Sequence, residues 1–81
     1  MYQVYVLRSL KSQKRYIGLT SQKLAEKVKE HNSGATSWTK AGKPFILIHS
    51  ESFDSKNLAL KREKFFKTGN GRRVLDNLIK E

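Results

Sequence analysis

The distribution of apolar and polar residues marks three segments of the chain as strands. In Tyr2–Ser9 apolar side chains occupy both faces, which indicates a strand covered on both sides and therefore central in a sheet. A polar turn separates this strand from a second one over residues 15–19, and the two predict a hairpin. The third strand is predicted over Phe45–Phe53, with Pro44 tolerated at its beginning.

Helical spacing of apolar residues occurs in three further segments. Leu24, Val28 and His31 recur on one helical face after an N-cap signal at Thr20 and Ser21, and residues 32–34 end this helix. A second helix is predicted from residue 54 or 55 to about residue 67, and a third after an interruption at residues 69–71. The order β-β-α-β-α-α predicts an α+β fold, a three-stranded antiparallel sheet flanked by helices, in a single domain over residues 1–81.

Size and composition exclude several classes of protein. The 81 residues, 37% of them hydrophobic, can fill one small core. Because there is no cysteine, neither a disulfide framework nor a cysteine-ligated zinc site is possible, and a reducing interior is expected. No apolar run approaches the ~20 residues of a membrane helix. We therefore expect a cytoplasmic protein without a membrane partner.

The charge balance points to a polyanionic partner. Seventeen Lys and Arg against seven Asp and Glu give a formal net charge of +10. Nucleic acid is the commonest partner of such a chain, because neutralising phosphates releases condensed counterions. Trp38, in a loop predicted over residues 35–44, is a candidate for stacking on an unpaired base. The basic residues expected to contact nucleic acid are Arg15, Lys40, Lys43, Arg62, Lys67, Arg72 and Arg73.

Glu63 is the single acid in the strongly basic segment 56–73. At 100° per residue it falls beside the apolar stripe of the second helix, so its carboxylate is expected to be half-buried. Such a carboxylate can ligate a divalent cation. From spacing alone, an internal salt bridge to Arg62, Lys67 or Arg15 is the favoured explanation, since structural ion pairs perturb carboxylates as readily as functional sites do.

Two pairs of residues are candidates for phosphodiester chemistry. Tyr5 and Tyr16 lie on the two strands of the hairpin and can share a sheet face, where two phenols could position or deprotonate a water; cross-strand packing is the alternative. Lys27 and His31 are four residues apart on one helix and present a cation and a titratable base, or merely a solvated flank. The glycines of residues 67–73 have the outline of a phosphate-binding turn, but a helix C-cap explains them better.

Together these positions resemble the GIY-YIG nuclease superfamily. Gln3-Val4-Tyr5 and Tyr16-Ile17-Gly18 are similar to its two signature tripeptides, and they are followed in the family's order by His31 on a helix and by the single acid Glu63. The resemblance covers nearly the whole chain and is greatest to the small, stand-alone bacterial branch.

This resemblance implies an endonuclease that depends on Mg²⁺ or Mn²⁺, with DNA favoured over RNA and with structure-specific or non-specific recognition. It implies that Tyr5 helps to activate water, that Tyr16 supports it or contacts the scissile phosphate, and that Glu63 holds the metal. His31 matches a position near the water-activating phenol. The family's arginine position corresponds to Lys27.

Three departures from the family pattern keep other functions open. Gln3 replaces a glycine, Lys27 replaces the arginine that grips two phosphate oxygens, and no asparagine matches the one that several members carry after the glutamate. A catalytically weak or inactive nucleic-acid-binding module is therefore the alternative, and a subunit that binds an acidic protein is a third. The sequence leaves the oligomeric state open.

Overall fold

A computed structural model describes residues 1–33 and 42–79 of the chain. The strands are β1 Tyr2–Ser9, β2 Arg15–Thr20 and β3 Phe45–Phe53, and the helices are α1 Leu24–Ser33, α2 Lys56–Phe66 and α3 Gly69–Leu78. They form one antiparallel sheet in the order β2-β1-β3, flanked by the helices. The predicted α+β fold and element order are confirmed. None of the helices in these two ranges is long and apolar enough to cross a membrane.

The two faces of β1 support two separate cores. Val4 and Val6 are fully buried under α2 and α3, where they pack with a cluster formed by Ala59, Phe66, Leu75 and Ile79. On the opposite face, Tyr5, Leu7 and Phe45 form a second cluster, against which the α1 residues Leu24 and Val28 pack. Burying each large apolar side chain contributes on the order of 2 kcal/mol. The central, doubly covered position predicted for the first strand is thus confirmed.

Register places the candidate phenols on the face under α1. Tyr5 lies opposite Gly18 in β2 and opposite Ser50 in β3. Because side chains alternate along a strand, Tyr16 shares this face with Gly18 and Tyr5. A register irregularity in the pairing with β3 follows Val6.

The helix starts differ in part from the predictions. Ser55 caps α2, as one of the two predicted alternatives, and its hydroxyl accepts a hydrogen bond from the Leu58 amide. The predicted cap at Thr20 and Ser21 is wrong, because the first helical hydrogen bond of α1 runs from the Lys27 amide to the Lys23 carbonyl. The Thr20 hydroxyl instead accepts a hydrogen bond from the amide two residues later, which closes a local turn.

The break between α2 and α3 lies earlier than predicted. Thr68 caps α3: its hydroxyl accepts from the Gly71 amide and donates to the Phe65 carbonyl. Residues 69–71 therefore form the first turn of α3 instead of interrupting two helices. A Cβ atom at Gly71 would lie 1.7 Å from the Phe65 carbonyl oxygen, so only glycine permits this close approach of the two helices.

Candidate active site

Three aromatic side chains meet under α1. The Tyr5 hydroxyl lies 3.0 Å from Nε2 of His31, and the two rings are 5.9 Å apart. Tyr16 packs beside both, with ring centroids 6.2 Å from Tyr5 and 4.7 Å from His31. Tyr5 and His31 are 1% and 2% exposed, whereas Tyr16 is half-buried. The structure therefore joins three of the predicted site residues, and Tyr16 is the phenol of the pair that solvent meets first.

Gly18 makes room for the Tyr5 ring. A Cβ atom on Gly18 would lie 2.4 Å from both Cζ and the hydroxyl oxygen of Tyr5, well inside van der Waals contact. The absence of a side chain at this position in β2 thus lets Tyr5 lie flat across the neighbouring strand and reach His31. In this chain the glycine of the second tripeptide is therefore required for a steric reason, because a side chain there would collide with Tyr5.

We expect Gly18→Ala to displace the Tyr5 ring and to lower the free energy of unfolding by about 1–3 kcal/mol, as overpacking of a core usually does. Gly69→Ala is the matched control, because nothing lies within 4 Å of a Cβ there and alanine favours a helix by up to about 1 kcal/mol. Chemical denaturation of both variants measures the difference. Equal stability of the two variants would contradict the steric account.

Two residues that the sequence analysis missed, Asn32 and Ser9, fix the chain segments that adjoin this cluster. Asn32 accepts a hydrogen bond from the Phe45 amide and donates one to the Phe45 carbonyl at 3.1 Å, which ties the end of α1 to β3. The Phe45 ring then stands edge-on to His31 at 6.3 Å. Ser9, 1% exposed, donates to the Gly42 carbonyl and accepts from the amides of residues 11 and 12. The sequence offered one signal for this role of Asn32, namely that a polar residue directly follows His31.

The electrostatic environment keeps all three groups neutral in the resting protein. Burial, the neighbouring Tyr16 and the charge of Glu63 raise the pKa of Tyr5, and burial also raises the pKa of Tyr16. The two hydroxyls also act on each other, raising the pKa of Tyr5 and lowering that of Tyr16. Burial and the ammonium of Lys27 lower the pKa of His31. The cluster therefore holds two phenols and an uncharged imidazole at neutral pH.

We expect acid to weaken the fold through His31. Because its pKa is lowered in the folded chain, the folded state binds fewer protons than the unfolded state, so stability present above the ordinary value of 6.5 is lost as the pH falls below it. Lys27→Ala should move the pKa of His31 back towards 6.5, whereas Lys29→Ala, at an exposed position of the same helix, should leave it unchanged. NMR titration of the His31 ring measures both. An unchanged titration in Lys27→Ala would show that burial alone sets the pKa.

Glu63 lies on α2 and acts on the phenols through its charge. Its side chain is 17% exposed, which matches the predicted half-buried position, and its charge acts on the pKa of both Tyr5 and Tyr16. Of the three salt bridges considered from the sequence, the one to Lys67 is present, with Nζ 3.5 Å from Oε2. In the two described ranges no three His, Cys, Asp or Glu side chains come together.

The donor set around Glu63 fits a magnesium-type ion. Mg²⁺ keeps several of its waters and is commonly held by one or two carboxylates, so one partly exposed carboxylate is a sufficient protein ligand. The ammonium group of Lys67 already pairs with this carboxylate, at the place where a metal ion would bind. Such a weak ion pair is replaceable by a divalent ion.

The predicted nucleic-acid contacts lie in different surroundings. Arg15, Lys67 and Arg72 line a groove of about 680 Å³ together with Tyr16. Lys43 and Arg73 are exposed elsewhere, while Lys40 and Trp38 lie outside the described residues.

Arg62 is held against the protein by contacts with Glu51 and Phe66. Its guanidinium binds both carboxylate oxygens of Glu51, at 2.8 and 3.2 Å, and lies 4.4 Å from the centre of the Phe66 ring. Burial alone would raise the pKa of Glu51, but the hydrogen bonds from Arg62 and His49 hold it below its usual range. Because these contacts occupy its guanidinium, Arg62 is not among the residues that we expect to bind nucleic acid.

The chain is similar to known proteins in sequence and in fold. The family model of the GIY-YIG catalytic domain matches residues 1–75, so the chain belongs to the GIY-YIG family and carries a nuclease-type domain. It is 39% identical over 64 residues to a UPF0213 protein of Halobacterium salinarum, covering 78% of this chain and 80% of that protein. A UPF0213 protein of Natronomonas pharaonis is 38% identical over 66 residues, covering 80% of this chain and 75% of that one.

A solved structure agrees with this family assignment. The solution NMR structure of a UPF0213 protein from Bacillus halodurans matches with a TM-score of 0.57 and 29% identity, covering 96% of this chain and 85% of that chain. A nuclease-type domain implies a nucleic acid substrate, and GIY-YIG nucleases generally use divalent metals. The resemblance drawn from the two tripeptides and Glu63 is confirmed at the level of the family.

Proposed function

We propose that this protein is an endonuclease that hydrolyses phosphodiester bonds of DNA with Mg²⁺ or Mn²⁺. One observation carries the proposal: two phenols and a neutral imidazole share one cluster, and a half-buried carboxylate 58 positions along the chain from Tyr5 acts electrostatically on both phenols. Packing alone does not require a lone acid and a buried histidine at the same place. Phosphodiester hydrolysis requires a base near the water and positive charge near the phosphate.

In this proposal the attacking water is held at the Tyr16 hydroxyl, because Tyr5 is almost wholly buried. For the transfer both hydroxyls turn so that Tyr16 donates to Tyr5 and Tyr5 donates to Nε2 of His31, the reverse of the polarity that raises the pKa of Tyr5 and lowers that of Tyr16 in the resting protein. The water then gives its proton to Tyr16, while the Tyr16 proton passes to Tyr5 and the Tyr5 proton passes to Nε2 of His31. Tyr5 thus assists in activating the water, as the family resemblance implies, but does so from behind Tyr16. The transfer needs the His31 tautomer with its proton on Nδ1.

The substrate itself favours this proton transfer. A phosphate brought beside the cluster places negative charge near His31, which raises the pKa of the imidazole and offsets the effect of Lys27. Lys27, in the family's arginine position, contributes positive charge towards the phosphate as it gains charge. Glu63 would hold the divalent ion, which supplies charge stabilisation at the leaving oxygen.

Lys27 also gives the second candidate function its support. Lysine keeps the charge but lacks the planar fork of arginine, and here Lys27 is also 3.3 Å from Glu30. A binding module that has kept the scaffold and lost most of its turnover is therefore the alternative. It predicts salt-sensitive nucleic acid binding without cleavage.

A nuclease assay on branched, flapped and single-stranded DNA, with and without a chelator, tests the proposal. We expect cleavage that stops when the metal is removed. Lys27→Arg should increase cleavage if the enzyme is weakened by lysine, and should leave it absent if the chain is a binding module. Cleavage that persists in excess chelator would contradict the metal-dependent mechanism.

A further inference from the structure

A groove of about 680 Å³ opens beside Tyr16 at the edge of the sheet. Its walls come from the β1–β2 turn and the beginning of β2 on one side, and from the end of α2 and from α3 on the other. Since the sheet order is β2-β1-β3, β2 is an edge strand in the described structure, and the groove runs alongside it. Tyr16 belongs to both the groove and the cluster, so a ligand in the groove lies next to the candidate active site.

The charged residues of the groove form an anion-binding pattern that contains one negative side chain. Lys14, Arg15, Lys67 and Arg72 line it, against the single acid Asp76. Asp76, 61% exposed, forms an ion pair with Arg15, whose side chain is 28% exposed. An acid placed among four bases reduces the attraction for a polyanion without reversing it.

The size of the groove restricts what can enter it. Its volume lies within the range of about 300–1,000 Å³ that takes a drug-sized ligand, on the order of one or two nucleotides. A duplex does not fit inside, because two backbones and the base pairs between them need far more room than one or two nucleotides. Ile17 and Leu75 add apolar wall beside the cations, and the groove reaches Tyr16, whose ring belongs to the cluster on the other face of β2. Apolar surface beside cations suits the bases and phosphates of a single strand.

We propose that this groove binds one unpaired strand of nucleic acid directly beside the cleavage site, with phosphates on Lys14, Lys67 and Arg72, and that Asp76 weakens this binding. The inference rests on the proposed function only in taking the substrate to be nucleic acid. It narrows that substrate to molecules that carry an unpaired segment next to the scissile bond.

Fluorescence anisotropy of labelled oligothymidine and oligouridine, with a duplex of equal length for comparison, tests the proposal in EDTA over a series of salt concentrations. Arg72→Ala should weaken single-strand binding several-fold and reduce the slope of log affinity against log salt by about 0.7, the value for one lost phosphate contact on a single strand. Arg73→Ala is the matched control, since it removes the same charge from the next position on α3 outside the groove lining. Asp76→Asn should tighten binding.

Equal losses in Arg72→Ala and Arg73→Ala would overturn the proposal, because only net charge would then matter. Tighter binding of the duplex with the same dependence on Arg72 would also overturn it, as would weaker binding by Asp76→Asn. A preference between the thymidine and uridine strands would identify DNA or RNA as the source of the strand. Because EDTA prevents metal-dependent cleavage, Arg72-dependent binding by a chain that never cleaves supports the groove and contradicts the nuclease. Cleavage with no difference between the two arginine variants contradicts the groove alone.

Discussion

Glu63→Gln should reduce metal-dependent cleavage by at least about 100-fold while leaving the protein folded and able to bind nucleic acid. Glutamine keeps the size of the side chain and one accepting oxygen but removes the negative charge that a hard divalent cation needs. The variant loses only a weak ion pair to Lys67, 3.5 Å long and half exposed on the lysine side. The loss should therefore appear in turnover and in metal binding, and hardly in stability.

Paramagnetic broadening by Mn²⁺ measures the metal site independently of activity. In the wild type we expect NMR signals around Glu63 and Tyr16 to broaden at low Mn²⁺ concentration, and we expect this effect to disappear in Glu63→Gln. Glu26→Gln is the control, because Glu26 is an exposed acid in the first turn of α1. Cleavage by Glu63→Gln at the wild-type rate would end the proposal that this carboxylate holds the metal.

Tyr5→Phe should lower cleavage by about 10²–10⁴-fold, the usual contribution of a general base and its proton acceptor. The substitution removes the hydroxyl that lies 3.0 Å from Nε2 of His31, so the path from Tyr16 to the imidazole is broken while both rings stay in place. The fold should lose only about 1 kcal/mol of unfolding free energy, the usual contribution of one hydrogen bond. Single-turnover kinetics and chemical denaturation measure the two effects.

Tyr2→Phe is the control for this experiment. Tyr2 lies on the same strand but packs against the core under α2 and α3, on the opposite face of the sheet from Tyr5. It should cleave at the wild-type rate. If Tyr5→Phe cleaves as fast as Tyr2→Phe, Tyr16 must pass its proton elsewhere, and the buried part of the proposed relay is wrong.

Several elements were predictable because their signals are local. The apolar residues of Tyr2–Ser9 and Phe45–Phe53 predicted both strands at their observed bounds, since short apolar runs of this kind are typical of covered strands. The arc of Glu63 beside the apolar stripe predicted its partial burial for the corresponding helical reason. The α2–α3 break was misplaced because the glycines of residues 69–71 were interpreted as a helix interruption. In the folded chain they belong to the first turn of α3, where Gly71 is required by its close approach to the Phe65 carbonyl.

The surroundings of the site required tertiary contacts. Arg62 and Arg72 are both basic residues near Glu63 in sequence, yet Arg62 is bound to Glu51 on β3 and Arg72 lines the groove. Residue type and spacing do not distinguish them, because an ion pair between residues 11 positions apart depends on how α2 crosses the sheet. The same holds for Asn32, whose two hydrogen bonds to Phe45 depend on where β3 passes the end of α1.

The amino-acid sequence alone determined the secondary structure, the basic character and the family. The apolar pattern of strands, the spacing of helices, the charge and the two tripeptides are all properties of neighbouring residues along one chain. Only the folded chain decided that Tyr16 meets solvent while Tyr5 is buried behind it. Only the folded chain, likewise, lets the charge of a carboxylate on α2 act on phenols that lie under α1. Such positions depend on strand register and helix packing across the whole sheet, and these are set by many weak contacts acting together rather than by any local pattern.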